Sequence, residues 1–262
     1  MKTLQSHHLK ARQNQKKKRV VLYCFLGLLL LIILLGYLVL FSSVFKIKSV
    51  EVTSTKILDS IIIQQEVQRI LDQGRAWGPL VIKNNIFFIP ANQINDYLKG
   101  IPVIESFSCT EGFFTKKLKI NIQEREAIGV LKQTVGEDYY FDKNGNLFIE
   151  APDSEGAIII GVENNSSRQF NIGNRILERE SFRDLMNIVK LLDDNFLSNR
   201  VELKDDKIQI VAKVSDNKEI SFYFDPNDLS RSYSVLDHFI QNNFDFDLEY
   251  LDLRYLPNIY YK

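Results

Sequence analysis

The sequence predicts one membrane-spanning helix, then a small α+β unit, then a β-rich unit that also contains helices. Three observations support this fold class. An uncharged apolar run covers 20–41, a strand-helix-helix-strand-strand order fills 45–124, and short alternating segments dominate 125–262. The 262 residues are 45% hydrophobic and 25% charged, which is a composition typical of globular chains of one or two domains.

The net charge of zero conceals an asymmetry between the first residues and the rest. Residues 1–19 contain seven basic and no acidic side chains, so the remainder carries 26 basic and 33 acidic side chains. The chain therefore has a short basic tail and a mildly acidic body. Beside a membrane span, topology and anionic lipid account for such a tail, and we expect no nucleic-acid partner.

The run Val20–Phe41 contains 22 residues without a charge. As a helix it would extend ~33 Å, enough to cross a hydrocarbon core of ~30 Å. Because Lys16–Arg19 precede it directly, the tail is expected in the cytoplasm and the remaining residues outside. The alternative is a cleaved signal peptide, but the run is too long and LFSSV lacks a small-residue cleavage pattern, so an uncleaved anchor is favoured.

The two cysteines do not predict a disulfide. Cys24 falls inside the apolar run and Cys109 far beyond it. The exported part must therefore be stabilised by its hydrophobic core.

Residues 45–124 alternate between strand and helix patterns. Strand periodicity begins directly after the span, two helices end at glycines, and two strands follow across a short loop. Arg75–Ile89 has no regular pattern and is expected to be irregular. The predicted strands are Phe45–Val52, Val103–Cys109 and Lys117–Gln123, and the predicted helices are Asp59–Leu71 and Ala91–Lys99. The spacing places Ile63, Val67, Ile70 and Leu71 on one face of the first helix, and Leu118, Ile120 and Ile122 on the inward face of the last strand.

Residues 125–262 are predicted to form mostly short strands. Asn144-Gly145 favours a tight turn, and Ser215–Lys218 separates two alternating segments. The predicted helices are Ser181–Phe196 and Leu229–Asn242. The predicted strands are Ala127–Lys132, Asp138–Phe141, Leu147–Glu150, Ala157–Val162, Arg200–Leu203, Lys207–Val214 and Glu219–Phe224.

Residues that could carry chemistry are few and scattered. Beyond the apolar run His238 is the one histidine, which argues against a Cys/His zinc site or a catalytic triad. Ser215–Lys218 contains two penicillin-enzyme motifs, but they overlap in one predicted turn. Asp142, Asn144 and Asn146 resemble the start of a calcium loop, but Leu147 stands where that loop requires glycine. We therefore expect no enzymatic activity, metal, cofactor or small-molecule substrate.

Aromatic residues occur in pairs along the chain. Phe87-Phe88, Phe113-Phe114 and Tyr139–Phe141 are expected to belong to the core rather than to a ligand platform.

The last twelve residues, LDLRYLPNIYYK, divide at a proline. Leu251, Leu253 and Tyr255 would share one face of a strand inside the sheet. Pro257 lacks an N–H group and is poorly tolerated in a central strand, so 258–262 are expected to form an edge.

The order of these segments resembles the bacterial division protein family FtsQ, also called DivIB. FKIKSVEV after the span is similar to the first strand of that family's POTRA domain, and INIQEREAIGVL to its last strand and the crossing at Arg125 into the β domain. YLDLRY is similar to the closing aspartate-leucine-arginine signature, and YYFDKNGNLF to a turn of the β domain. The resemblance implies a basic tail at 1–19, a span at 20–41, a POTRA-like domain at 45–124 and a partner-binding domain at 125–262.

That family is not catalytic, and the resemblance implies a scaffold of the division complex. It would lie in the cytoplasmic membrane at the septum and bind FtsB-like and FtsL-like partners outside the cytoplasm. The strand after the signature would form part of the partner surface. By position, the residues implied are Tyr255, Asn258, Ile259, Tyr260 and Tyr261.

Two alternatives belong to other classes. A signal-anchored cell-envelope enzyme would need two acids converging in a deep cleft of the β-rich unit. A POTRA-bearing translocation component would normally repeat that unit or continue into a membrane barrel, and this sequence shows neither pattern.

Overall fold

The computed structural model describes residues 2–53, 55–77, 80–151, 160–243 and 247–262. Contacts divide the chain into two compact units. Unit 1 comprises 1–98 and 107–122, and unit 2 comprises 99–106 and 123–262. The observed architecture is an N-terminal apolar helix followed by mixed α and β structure with a three-stranded and a nine-stranded sheet.

Unit 1 begins with α1, Lys2–Phe41, in which the basic tail is helical together with the apolar run. The segment Val21–Phe41 has a mean hydropathy of 3.0, and its most apolar stretch is not buried against the rest of the protein. Among the described residues this is the one helix long and apolar enough to cross a membrane.

A short 3₁₀ helix, Ser43–Phe45, follows α1 and replaces the first part of the predicted strand. That prediction was wrong for Phe45, because the chain must first turn away from the helix end. Ile47 is nevertheless buried, and the strand β1 begins at Ser49. The strands of the first sheet are β1 Ser49–Thr53, β4 Ile104–Gly112 and β5 Lys117–Glu124. Their order is β1-β5-β4, in which β1 lies parallel to β5.

The two helices of this region agree closely with the sequence pattern. Helix α2, Ser60–Gln73, begins at Asp59, whose carboxylate accepts the Ile61 N–H at 2.8 Å, and ends at Gly74 with a φ of 76°. Its buried residues are Ile63, Val67, Ile70 and Leu71, as the periodicity predicted. Helix α3, Ala91–Lys99, has the predicted bounds. In β5 the buried residues are Leu118, Ile120 and Ile122, also as predicted.

The segment 75–89 is more regular than predicted. Arg75–Trp77 and Leu80–Ile82 form the antiparallel strands β2 and β3, with Arg75 opposite Ile82. Strands of three residues are too short to show an alternating pattern.

Unit 2 contains the nine-stranded sheet, in the order β14-β13-β12-β11-β10-β9-β6-β7-β8. The pairs β6–β9, β9–β10 and β12–β13 are parallel, and the other five are antiparallel. The strands are β6 Gly129–Gln133, β7 Tyr139–Phe141, β8 Leu147–Glu150, β9 Ile160–Asn164, β10 Ser198–Leu203, β11 Ile208–Ser215, β12 Lys218–Phe224, β13 Tyr250–Asp252 and β14 Tyr260–Tyr261. The first part of the predicted strand Ala157–Val162 lies outside the described residues.

Two helices supply much of the core of unit 2. Helices α4, Arg179–Asn195, and α5, Leu229–Asn243, pack against each other, and α4 also contacts β10. The buried residues of α4 are Phe182, Leu185, Ile188, Val189 and Leu192. The helical spacing in the sequence predicts a different apolar face, namely Phe182, Leu185, Met186, Val189, Leu192 and Phe196. That face omits Ile188, which is buried, and includes Met186, which is half-buried. Gly145 makes the predicted turn with a φ of 74°, and a Cβ there would meet the Phe182 ring at 2.8 Å.

The aromatic pairs divide into two groups. Tyr139 and Phe141 are buried, as predicted. The prediction was wrong for Phe87, Phe113 and Phe114, which are exposed by 56%, 45% and 95%. Phe88 is half-buried.

Candidate partner-binding edge

Strand β14 is the terminal strand of the nine-stranded sheet. It pairs antiparallel with β13, placing Tyr261 opposite Leu251 and Tyr260 opposite Asp252. The Lys262 N–H donates to the Tyr250 carbonyl, and the Tyr250 N–H to the Lys262 carbonyl, each at 3.4 Å. The end of the segment is thus held by the sheet, and the edge position agrees with the proline at 257.

The outer side of β14 presents backbone groups. In an antiparallel pair, successive residues direct their N–H and C=O groups alternately toward and away from the neighbouring strand. Because Lys262 bonds to β13, Tyr261 directs its backbone groups away from β13. Such an edge is a template for another strand.

The side chains around this edge are largely aromatic. Tyr255, Tyr260 and Tyr261 are exposed by 57%, 52% and 61%. The rings of Tyr255 and Tyr260 meet edge to face with centroids 6.1 Å apart, and Tyr261 lies 6.3 Å from Phe239. Asn258 is exposed, whereas Ile259 is half-buried against the core. We call Tyr255, Asn258, Ile259, Tyr260 and Tyr261 the tyrosine edge.

Tyr255 reaches this edge by a route that the sequence pattern did not predict. Alternation placed it on a buried strand face with Leu251 and Leu253, which are indeed buried. The strand, however, ends at Asp252, and 254–257 form a turn closed by the Asn258 N–H donating to the Tyr255 carbonyl at 3.0 Å. The turn rotates Tyr255 out of the core and brings it to Tyr260.

A buried ion pair fixes this turn. The Arg254 Nη2 donates to Asp252 Oδ2 at 2.7 Å, its Nε contacts both carboxylate oxygens, and its backbone N–H donates to Oδ1 at 3.1 Å. Asp252 is 8% exposed. Burial alone would raise the pKa of Asp252, but the hydrogen bonds from Arg254 outweigh it and lower that pKa below its usual value.

The Arg254 guanidinium also organises neighbouring rings. It lies 5.1 Å from the centroid of Tyr255 and 5.7 Å from that of Tyr223. Its Nη1 donates to Asp206 Oδ2 at 3.3 Å. The same arginine therefore neutralises Asp252 and positions an aromatic residue of the tyrosine edge.

Arg125, the predicted junction residue, lies in unit 2 just after the chain enters it at Gln123. Its Nε donates to the Pro102 carbonyl at 2.7 Å, and its Nη1 to Asp142 Oδ2 at 2.5 Å. Asp142 is 3% exposed and accepts the Asn144 and Asn146 N–H groups at 2.9 Å. Burial would raise the pKa of Asp142, but the bonds from Asn146, Asn144 and Arg125 lower it. The Asp142 carboxylate therefore serves to stabilise the turn between β7 and β8.

The other candidates for chemistry remain separate in the structure. His238 is exposed on α5, and Asp216-Asn217 form a turn between β11 and β12. Within the described residues, no group of three or more His, Cys, Asp or Glu side chains could hold a metal ion. A pocket in unit 2 lined by Arg168, Lys204 and Asp205 offers a single carboxylate, and Asp205 accepts the Ser167 N–H at 2.8 Å.

No protein-family model matches the chain, and comparison with curated proteins found no match.

Proposed function

We propose that this protein is a non-catalytic, single-pass membrane scaffold of bacterial cell division, of the FtsQ/DivIB type. The tail would lie in the cytoplasm, α1 would cross the cytoplasmic membrane, and the rest of unit 1 together with unit 2 would lie outside, concentrated at the septum. The observation that carries the proposal is the free edge of β14 flanked by three exposed tyrosines. The basic tail, the apolar helix and the resemblance of FKIKSVEV, INIQEREAIGVL and YLDLRY support it.

The mechanism would be addition of a partner strand to the sheet. A segment of an FtsB-like or FtsL-like protein would lie along β14 and bond to the outward N–H and C=O groups of Tyr261. Tyr255 and Tyr260 would supply apolar area and hydroxyl groups, which suit a protein partner. The POTRA-like region at 45–124 would recruit other division proteins.

The first test is capture of the co-resident FtsB-like and FtsL-like segments by the full chain in detergent. Tyr260→Glu should weaken capture by roughly 30-fold, since loss of a central interface tyrosine costs about 2 kcal/mol. Val135→Glu is the matched control, because Val135 is 70% exposed in unit 2 and follows β6, far from β14 in the sheet order. Equal capture by both variants would remove the tyrosine edge from the interface.

The second test addresses the biological role. Depletion of the protein should give filamentous cells with unfinished septa. Normal division under depletion would refute the division role even if the edge binds a strand.

A further inference from the structure

Four phenylalanines of unit 1 form a group at its surface, here called the phenylalanine cluster: Phe45, Phe87, Phe113 and Phe114. Phe45 is half-buried and the other three are exposed. Phe45 lies 5.5 Å from Phe87 and 5.9 Å from Phe113 between ring centroids. Phe87 and Phe113 are 6.1 Å apart, and Phe114 meets Phe113 edge to face at 5.5 Å. Phe114 is 95% exposed. Clustered exposed rings of this kind mark a contact surface rather than scattered surface hydrophobics.

The cluster is tied to the end of the apolar helix. Phe45 follows the end of α1 by four residues, and its carbonyl accepts the Ile86 N–H at 2.9 Å. The Ile47 N–H in turn donates to the Asn84 carbonyl at 2.6 Å. These bonds join the segment that leaves α1 to the segment that carries Phe87.

Asn85 completes the connection. Its Nδ2 donates to the carbonyls of Val39 and Leu40, at 2.8 and 3.1 Å, which are among the last carbonyls of α1. Its Oδ1 accepts the Phe87 N–H at 2.9 Å, and the residue is 1% exposed. One buried amide thus holds the helix end and Phe87 together, so the rings keep a fixed position relative to the end of α1.

The chemistry of the cluster suits a lipid interface. Its four side chains carry no hydrogen-bonding group, so they gain from an apolar neighbour and offer little to a polar one. The exposed Lys46 follows Phe45 in sequence. Lys116 lies in the turn between β4 and β5 that also contains Phe114. Phenylalanines flanked by basic residues are typical of segments that lie where head groups meet acyl chains.

We propose that the phenylalanine cluster inserts into the interfacial layer of the membrane that α1 crosses, on the side where α1 ends at Phe41. This inference rests on α1 being the span of the proposed function. The cluster gives unit 1 a second attachment to the membrane, so the orientation of unit 1 is set by the rings as well as by the helix.

The experiment measures the depth of single indoles in the full chain. In a Trp77→Phe background, Phe114→Trp reports the cluster, Leu31→Trp reports the helix centre, and Tyr260→Trp is a matched exposed aromatic site. Each variant is placed in vesicles of phosphatidylcholine with a minor fraction of phosphatidylglycerol. The vesicles carry a nitroxide either near the head group or in mid-chain.

The expected result has three parts. The indole at position 114 loses fluorescence to the head-group nitroxide and emits at shorter wavelength than the indole at 260. The indole at 31 is quenched by the mid-chain nitroxide. Adding Phe87→Ser to the Phe114→Trp variant reduces the quenching at 114, because the cluster loses one of its apolar rings and Phe113 loses a ring neighbour.

Each failure has a distinct meaning. If the indole at position 31 is quenched but the indole at 114 is quenched no more than the one at 260, membrane insertion of the cluster is refuted, while α1 as the span is supported. If the indole at 31 is not quenched, both the span and the insertion are refuted. Capture of division partners then still tests the role of the tyrosine edge.

A second measurement uses the unsubstituted chain, in case the tryptophan variants do not fold. A lipid carrying a photoreactive diazirine near its head group should label the peptide around 113–116 more strongly than the peptide 255–262. Equal labelling of the two peptides would contradict insertion of the cluster.

Discussion

The phenylalanine cluster and the tyrosine edge are both exposed aromatic surfaces, yet their chemistry differs. The cluster offers rings alone, with Phe114 95% exposed. The tyrosine edge combines hydroxyl groups with the outer side of β14, the terminal strand of the sheet. The difference teaches that exposure of aromatic area does not identify a partner. The hydrogen-bonding groups beside the rings decide between lipid and protein.

A single buried polar side chain fixes each surface, and these side chains also differ. Asn85 is neutral and bonds to Val39, Leu40 and Phe87. Asp252 is charged and paired with Arg254. The tyrosine edge should therefore respond to pH, whereas the phenylalanine cluster should not.

The largest effect is expected for Arg254→Met. The substitution leaves the Asp252 carboxylate buried without its cation, which should lower the free energy of unfolding by about 2–4 kcal/mol. Amide exchange of β12 and β13 in the full chain would measure the loss. Exchange at the Phe87 amide should not change, and an equal increase there would show that the two surfaces are not independent.

Asn85→Leu should have the next largest effect, in unit 1. It removes the donor to two helix carbonyls and the acceptor for the Phe87 N–H, at a cost of about 1–3 kcal/mol. Faster exchange of the Phe87 amide would measure this, with β13 amides as the internal control. Unchanged protection of Phe87 would mean that Asn85 does not hold the cluster in place.

A smaller effect is expected on acidification. The pKa of Asp252 is lowered in the folded state, so this carboxylate adds to the stability of unit 2 at pH values above its usual pKa of about 4. That stabilisation is lost as the pH falls through the folded-state pKa. Protection of the β13 and β14 amides should decline in that range, while Phe87 keeps its protection. Asp142 has a lowered pKa of the same sign, so Asp252→Asn should reduce the dependence rather than abolish it.

The smallest effect is expected for Lys262→Ala. The Lys262 Nζ lies 2.9 Å from Glu249 Oε2, but both side chains are exposed. Since β14 is held by the backbone of Lys262 rather than by its side chain, partner capture should be unchanged within error. A clear loss of capture would indicate that charge, and not the strand edge, directs binding.

The sequence predicted the elements whose periodicity is decided locally. Asp59 and Gly74 set the ends of α2, and the alternation of Leu118, Ile120 and Ile122 matches their burial in β5. The strands β2 and β3 were not predicted, because three residues are too few to show an alternating pattern. Which strands become neighbours was also beyond the pattern, since parallel pairs such as β6–β9 join residues far apart in sequence.

The two surfaces differ in how far the sequence predicted them. Pro257 indicated the edge, but alternation misplaced Tyr255, because the turn at 254–257 depends on the Arg254–Asp252 pair. The phenylalanine cluster was not predicted. Phenylalanine is usually buried, so Phe87 and Phe113 were expected in the core. Their position beside the end of α1 follows only from their contacts with Phe45 and Asn85.

Strand β9 has a consequence for the order in which unit 2 assembles. It lies between β6 and β10 and is parallel to both, so among the described strands it joins a three-stranded ladder to a five-stranded one. Parallel neighbours cannot be closed by a tight turn, and long loops must be ordered first. We therefore expect β6–β7–β8 and β10–β11–β12 each to form rapidly through hairpins, and pairing across the parallel neighbours of β9 to limit the rate at which the two ladders join.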